Sequence, residues 1–574
     1  MSRAKKRKNA ARTASQTPNI PNAGYSPETH NAGYSPETQK TGYLPEMRHA
    51  GYSPKMRNAG YNAGYVVTAA AFTFFLLIST HKLTHASLWF DESIEYWYSK
   101  VMSGTLPFSS TTNMYQRIVS TLQPPLYNVL MYFWLKISDT EWWFRFFGVA
   151  TGFAGMCGLF KTVRKVGGSM FTAAGAVCFS ACVFRLSYYW QEAAEYCLML
   201  GALFWTVYFW VCLIQSPSRK YIILFTLSAI IPVYSQYGAA FPVAAMILSA
   251  YVLTVLHRNR RLTLELTGAY VCALLFAAMP LYVYFLRRQM SLQHGGAALR
   301  TLTFEGGILR DCLSAVHTVF RWCLTPDFNG MVSRFLLFIV FCASGTVLLW
   351  GRRTAKALTA VNILTWFFYY FAVKMGFYAD MNYGGFGNRY NLFLLPMWIT
   401  GLFVTAVECY RIASERKTAV RYGLPAVLTG IAICFGICYC ALSWTEKLSP
   451  NWEKEDIRGA VYAWYQHNAA QSHTIVYYAA DSGFAYYVRM NPGYTAQTED
   501  HVVYMPWYAD QTGESYRAYL NELYGEVWPE EVYIAASHYG DDLGTIVGEF
   551  LTAGYTREYL YTSAGDGYLV RLYR

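Results

Sequence analysis

The sequence predicts a polytopic α-helical membrane protein with a small α/β domain at its C-terminal end. Charged residues are only 14% of the 574 and apolar residues 54%, whereas soluble chains carry about 25% charged residues. Apolar runs recur from residue 63 to residue 443, most of them near the roughly twenty residues that cross a bilayer as a helix. Beyond residue 446 the hydropathy falls, and β-type runs alternate with amphipathic ones, the pattern of an α/β layer.

Residues 1–62 form the first region, read as a disordered, repetitive cytoplasmic tail. Gly24, Gly33, Gly42, Gly51 and Gly60 recur nine apart, each followed by a tyrosine. One aromatic and a frequent proline per unit bury too little surface to offset the entropy of ordering. The opening "RAKKRK" suits anionic lipid headgroups. The transmembrane region, 63–445, holds about 11 helices, expected at 63–82, 144–160, 170–187, 195–214, 220–235, 238–256, 266–286, 335–350, 357–376, 391–410 and 423–443. A further apolar stretch, "PPLYNVLMYFWLKI" at 124–137, is expected to lie along the membrane surface rather than cross it.

Loop charge motivates that choice. With 124–137 outside the count, the loops holding Lys161/Arg164/Lys165, Arg219/Lys220, Arg258/Arg260/Arg261, Arg352/Arg353/Lys356 and Arg411/Arg416/Lys417/Arg421 all face the cytoplasm, as the positive-inside rule requires. The N-terminus is then cytoplasmic. The third region, 446–574, becomes an extracytoplasmic α/β domain, with strands expected at 473–480, 530–537 and 566–574. The net charge of +12 accordingly reads as cytoplasmic anchoring and not as nucleic-acid binding. The 13 cysteines lie mostly in apolar runs with no CxxC or Cys/His spacing, so they read as small buried hydrophobes and not as a disulfide framework.

Chemistry is expected on the outer face, where the loops are longer and mix aromatic with polar residues. "LWFDESIEYWY" sets Asp91 and Glu92 on an aromatic ledge after the first span; such acids are costly beside a bilayer unless they hold a cation, meet a base or bind protons. Glu192 and Glu195 in "QEAAEY" share a helical face, and carboxylates converging from separate loops suit a divalent cation. Solvating a helix start is the competing reading. Arg145, Arg288 and Arg389 are outer arginines whose forked donors match a lipid phosphate; pairing with the outer acids is the alternative.

Taken together, "LWFDESIEYW", "TLQPPLYNVLMYFWLKI", "EWWFRFFGVATG", "QEAAEYCLML" and "NRYNLFLLP" occur in the order seen in GT-C membrane glycosyltransferases. The chain resembles the bacterial branch related to protein mannosyltransferases and to aminoarabinose and lipopolysaccharide-core transferases, over roughly residues 66 to 445. The resemblance implies an inverting transfer of a sugar from a polyprenyl-phosphate donor to an envelope glycan, lipid or protein acceptor outside the cell membrane. It implies Asp91 as base or metal ligand with Glu92 and Glu192 beside it, and Arg389 and Tyr390 at the carrier phosphate with Arg145 and Arg288. A divalent cation, Mg or Mn, would sit on Asp91, Glu192 and Glu195. Relatives often read Glu-Ala-Arg-x-Tyr where this chain has Glu192-Ala193-Ala194-Glu195-Tyr196. That leaves Glu195 as a substitute ligand or a mark of altered substrate. Two other functions compete: a lipid-linked glycan flippase or transporter, and a receptor or scaffold working through 446–574.

Overall fold

The computed structural model describes residues 54–100, 115, 119, 121–256, 258–292, 307–324, 329–378, 388–415, 455–477, 479–505, 512–537, 540–563 and 567–574. Met1–Asn58 is a unit apart from Ala59–Arg574, and the packed helices and the sheet belong to the second of these. Most of the expected tail and the expected span 423–443 lie outside the described residues. Residues 54–61, expected in the tail, have helical backbone.

The helices before the sheet are α1 (Pro54–Thr80), α2 (Phe90–Lys100), α3 (Leu126–Trp134), α4 (Glu141–Lys165), α5 (Met170–Cys182), α6 (Phe184–Gln191), α7 (Glu195–Gln215), α8 (Arg219–Ser235), α9 (Tyr237–Leu256), α10 (Arg260–Met290), α11 (Ile308–Leu324), α12 (Gly330–Trp350), α13 (Arg353–Lys374) and α14 (Leu394–Glu415). Seven of them are long and apolar enough to cross a membrane, and α5 with α6, bent by 69°, would make eight. The protein is thus a polytopic helical protein, and its described residues hold fewer clear spans than the eleven expected. The shortfall among the described residues has physical causes. The seventeen residues of α8 reach only about 25 Å at ~1.5 Å per residue, and α14 carries Glu408, Arg411 and Glu415 in its last two turns. Leu227, Leu248, Phe276, Phe335, Phe338 and Leu349 are exposed on these helices, more apolar surface than a water-facing protein presents.

The helix at 126–134 is nine residues long, about 13 Å, well short of a ~30 Å hydrocarbon core. It does not cross. Its prolines stand immediately before it, and the indoles of Trp134 and Trp143 stack at 4.3 Å and 5°, tying it back to α4.

Helices α4 and α7 approach backbone to backbone. A Cβ on Gly201 would stand 2.5 Å from the Thr151 carbonyl, and one on Gly155 would stand 2.8 Å from the Gly201 Cα, so only glycine permits this spacing. Gly201→Val is expected to lower the yield of folded, monodisperse protein in detergent; a wild-type melting temperature in that variant would contradict the close packing.

The turns sort into two sets joined by hydrogen bonds. At one end Arg352 donates to the Val166 carbonyl at 2.8 Å and pairs with Glu408 at 2.9 Å, and Gln215 donates to the Lys165 carbonyl. At the other, Gln236 donates to the Tyr378 hydroxyl, Tyr378 to the Tyr390 carbonyl, and Gln289 accepts from Tyr237 and donates to the Gln123 carbonyl. These are the two faces that loop charge separates. The 25 residues of α4 hold them about 37 Å apart.

Residues 455–574 form an α/β layer. Its elements are α15 (Ile457–Gln466), β1 (His473–Val476), α16 (Asp481–Met490), β2 (Val502–Tyr504), α17 (Gly513–Tyr524), β3 (Glu531–Ser537), α18 (Gly540–Thr552), β4 (Thr556–Thr562) and β5 (Gly567–Tyr573). The sheet order is β2-β1-β3-β5-β4, parallel around β1 and antiparallel around β5. One apolar core under each face holds it, with Trp464 and Phe484 on one side and Trp528 and Phe550 on the other.

Candidate active site

The segment that bears Asp91 is clasped from two directions. From the α/β layer, Ser87 donates to the Glu455 carbonyl at 2.5 Å, the Leu88 amide donates to the Tyr487 hydroxyl at 2.6 Å, and the Trp97 indole donates to the Ser482 carbonyl at 2.8 Å. From the helices, Arg145 on the second turn of α4 donates to the Leu83, Ala86 and Ser87 carbonyls. Asp91 therefore opens α2 on a backbone fixed on both sides, with its negative charge at the favourable helix end.

Asp91 and Glu92 are neighbours in sequence but roughly 100° apart around a helix, and they meet different partners. Glu92 is fully buried. It takes a two-point contact from Arg145, Nε to Oε1 at 2.9 Å and Nη2 to Oε2 at 2.7 Å, and accepts the Ala193 amide at 2.9 Å. It thus locks the 192–194 turn against the first loop. All three guanidinium nitrogens of Arg145 are engaged, the remaining contact being Glu141 at 2.8 Å. The pairing alternative therefore replaces the expected phosphate contact for Arg145, and Glu92 stands at a structural joint with no open face.

Asp91 is paired with Arg389, through its Oδ2 and the arginine Nη1. Thirty per cent of the Asp91 side chain stays open, whereas Glu92, Glu95, Glu192 and Glu195 are buried. The Arg389 guanidinium lies between the rings of Trp89 and Tyr390, at 5.9 and 5.7 Å. Its Nε is buried with no hydrogen-bond partner among the described residues, an arrangement that costs free energy until an acceptor arrives. Tyr390 accepts Tyr378 through its carbonyl, which fixes the Asn388–Asn391 turn.

Glu192 is hydrogen-bonded to Tyr188, and Glu195 lies within electrostatic reach of Arg389, Asp91 and Glu192. The structure thus gathers Asp91, Glu192, Glu195 and Arg389. Arg288 is not among them: it is exposed, its guanidinium 5.4 Å from the Tyr115 ring centre, and the partners of Asp91 and Arg389 do not include it.

Among the described residues the expected cation ligands Asp91, Glu192 and Glu195 are not arranged as a metal site, and no three His, Cys, Asp or Glu side chains are placed to hold a metal ion. Asp91 faces Arg389 instead, which already neutralises its charge. Activity is therefore expected to survive EDTA; a loss restored by Mg or Mn would mean that Asp91 exchanges the arginine for a cation.

Glu95 belongs to the site and is not singled out by sequence. It follows Asp91 by four residues on α2 and so shares its face, a spacing visible in the sequence but overshadowed by the adjacent pair. Asn128 of α3 donates to it at 2.5 Å. Burial, followed by the nearby carboxylates of Glu195 and Asp91, holds the Glu95 carboxyl well above the usual range despite the Asn128 bond.

With this geometry in place, the fold can be matched to a solved structure. The apo crystal structure of ArnT from Cupriavidus metallidurans matches it at TM-score 0.51 and 13% identity, over 89% of this chain and 98% of that one. The same protein bound to undecaprenyl phosphate matches at TM-score 0.49 and 12% identity, over 88% and 97%. An oligosaccharyltransferase from Archaeoglobus fulgidus, in complex with Zn and sulfate, matches at TM-score 0.44 and 13% identity, over 88% and 72%. No family model and no curated protein matches the chain.

Proposed function

We propose that this protein transfers a sugar from a polyprenyl-phosphate donor to an acceptor hydroxyl on the extracytoplasmic side of the membrane, with inversion at the anomeric carbon. One observation carries the reading: Asp91, the open acid of a buried acidic group, is paired with an arginine that still has an unsatisfied donor. The acceptor hydroxyl gives its proton to Asp91 as its oxygen bonds to the anomeric carbon. The carbon–oxygen bond to phosphate breaks on the opposite face, and the Nε of Arg389 receives the departing charge. Arg389 also holds Asp91 in place through its Nη1, leaving the open part of the carboxylate for the acceptor hydroxyl. Because phosphate is a competent leaving group, positioning and charge stabilisation supply most of the rate. Glu92 and Arg145 act as the joint that sets this geometry. ArnT, whose apo structure shares this fold, has been crystallised bound to undecaprenyl phosphate, in keeping with the donor class. Five basic turns on the opposite face favour a cytoplasmic position for that face and an outer position for the site and the 446–574 domain.

The test is reconstitution with a panel of polyprenyl-phosphate sugars and with hydroxyl acceptors drawn from envelope glycans, lipids and peptides, reading transferred sugar by mass. Transfer lost in Asp91→Asn supports the reading. No transfer by wild type from any donor would defeat it.

A second reading, transport of a lipid-linked glycan, is favoured by the 69° break between α5 and α6 with Arg185 just past it, since broken helices bearing charge line transport paths. Movement of a labelled lipid across vesicles without any glycosidic product would select it.

A further inference from the structure

Arg185 stands out among the arginines packed between the helices. Arg145, Arg352, Arg411 and Arg489 each face a carboxylate, at 2.6 to 2.9 Å. Among the described residues, Arg185 has no carboxylate within salt-bridge distance, and its Nε is buried without a hydrogen-bond partner. It sits on the first turn of α6, where the helix dipole disfavours a cation, and just past the 69° break. Its guanidinium is held by aromatic faces instead, 4.5 Å from the Trp322 ring centre and 5.1 Å from that of Phe184. Ring contacts orient a guanidinium plane but leave its N–H donors unanswered. A charged fork kept here with a buried donor unanswered is explained by an anion that arrives from outside the chain.

The direction of that anion is also fixed. Tyr189, one turn further along α6, lies within electrostatic reach of both Arg185 and Arg389, and of Asp91 and Glu192. Helix α11, which carries Trp322, packs against both α6 and the Asn388–Asn391 turn that carries Arg389. Two arginines, each with an unanswered Nε, therefore stand on elements packed against the same helix.

We propose that Arg185 is a second phosphate-binding residue of the donor site, gripping with Arg389 the phosphate of a polyprenyl-phosphate donor. The inference rests on the donor reading above and adds a residue to it. Two forked cations on one phosphate contact oxygens that a single arginine cannot reach together. Trp322 is then a positioning residue that sets the plane of the Arg185 fork.

The experiment measures binding of a polyprenyl monophosphate to the full-length protein in detergent, beside the matching polyprenol and inorganic phosphate. Arg185→Gln is expected to weaken polyprenyl monophosphate roughly tenfold to a hundredfold, to raise KM for the donor more than it lowers kcat, and to leave polyprenol binding unchanged. Arg185→Lys, which keeps the charge without the fork, should fall between the two and decides the matter if the glutamine variant does not fold. Inorganic phosphate alone binding as tightly as the lipid would assign the arginine to a free anion and overturn the proposal. Equal affinity of both variants and wild type for polyprenyl monophosphate would also overturn it while sparing the donor reading. A wild type that binds polyprenol and its phosphate equally would remove both.

Discussion

Asp91→Asn is expected to reduce sugar transfer by roughly 10²–10⁴-fold, the usual worth of a positioned general base, with little change in folding. The asparagine keeps the shape and can still accept from Arg389, so the helix start and the turn at 388–391 remain together. Neither partner of that pair is deeply buried, at 21% and 30% side-chain exposure, so its loss costs little stability. Arg389→Lys should also depress kcat, because the three donors of lysine sit on one nitrogen and lack the span of the fork that reaches Asp91 and a departing phosphate together. Transfer measured with detergent-solubilised protein, alongside a melting curve, separates the two effects. Full turnover in Asp91→Asn would remove the base assigned here.

Arg145→Ala should do the reverse and fail at folding first. It strands the fully buried Glu92 carboxylate, a change that costs about 3–5 kcal/mol, and frees the carbonyls of Leu83, Ala86 and Ser87. Arg145→Lys is not a rescue, since an ammonium cannot hold Glu92 by two points while reaching those carbonyls. Glu92→Gln should be milder, keeping the shape while weakening the two-point contact and the hold on the Ala193 amide. The observable is the fraction of monodisperse protein and its melting temperature, compared with turnover per folded molecule. Near-normal stability together with absent turnover in Glu92→Gln would return Glu92 to the chemistry.

Much of this architecture is legible in the sequence because membranes impose strong patterns. Loop charge sorts the turns into two sets, and the structure joins members of each set by hydrogen bonds. The same ground sets the 124–137 stretch apart from the spans, and its nine-residue helix is too short to cross. The proximity of Asp91, Glu192 and Arg389 is legible through the order of the motifs that carry them. Arg145 and Glu92 are visible in sequence but misassigned, because hydropathy says where a charge sits and not which partner it meets. Glu95 and Arg185 escape for a related reason: one is overshadowed by its neighbours and the other lies inside an apolar run whose bend leaves no mark in composition. In the α/β layer, β1, β3 and β5 carry dense apolar runs that announce them. Strand β4, largely exposed along its length, and the three-residue β2 lack the alternation that betrays a strand.

The bonds from Glu455, Ser482 and Tyr487 to the first outer loop turn the α/β layer into a keystone instead of an appendage. Excising it would strip the Ser87 hydroxyl, the Leu88 amide and the Trp97 indole of their partners at once, and the ledge under Asp91 would sag with them. A truncated protein would fall silent whether the layer greets the acceptor or merely braces the arch. Surface changes at the outer edge of its sheet, on exposed β4 residues such as Arg557 and Tyr559, would leave the masonry intact and test the layer for a role beyond bracing.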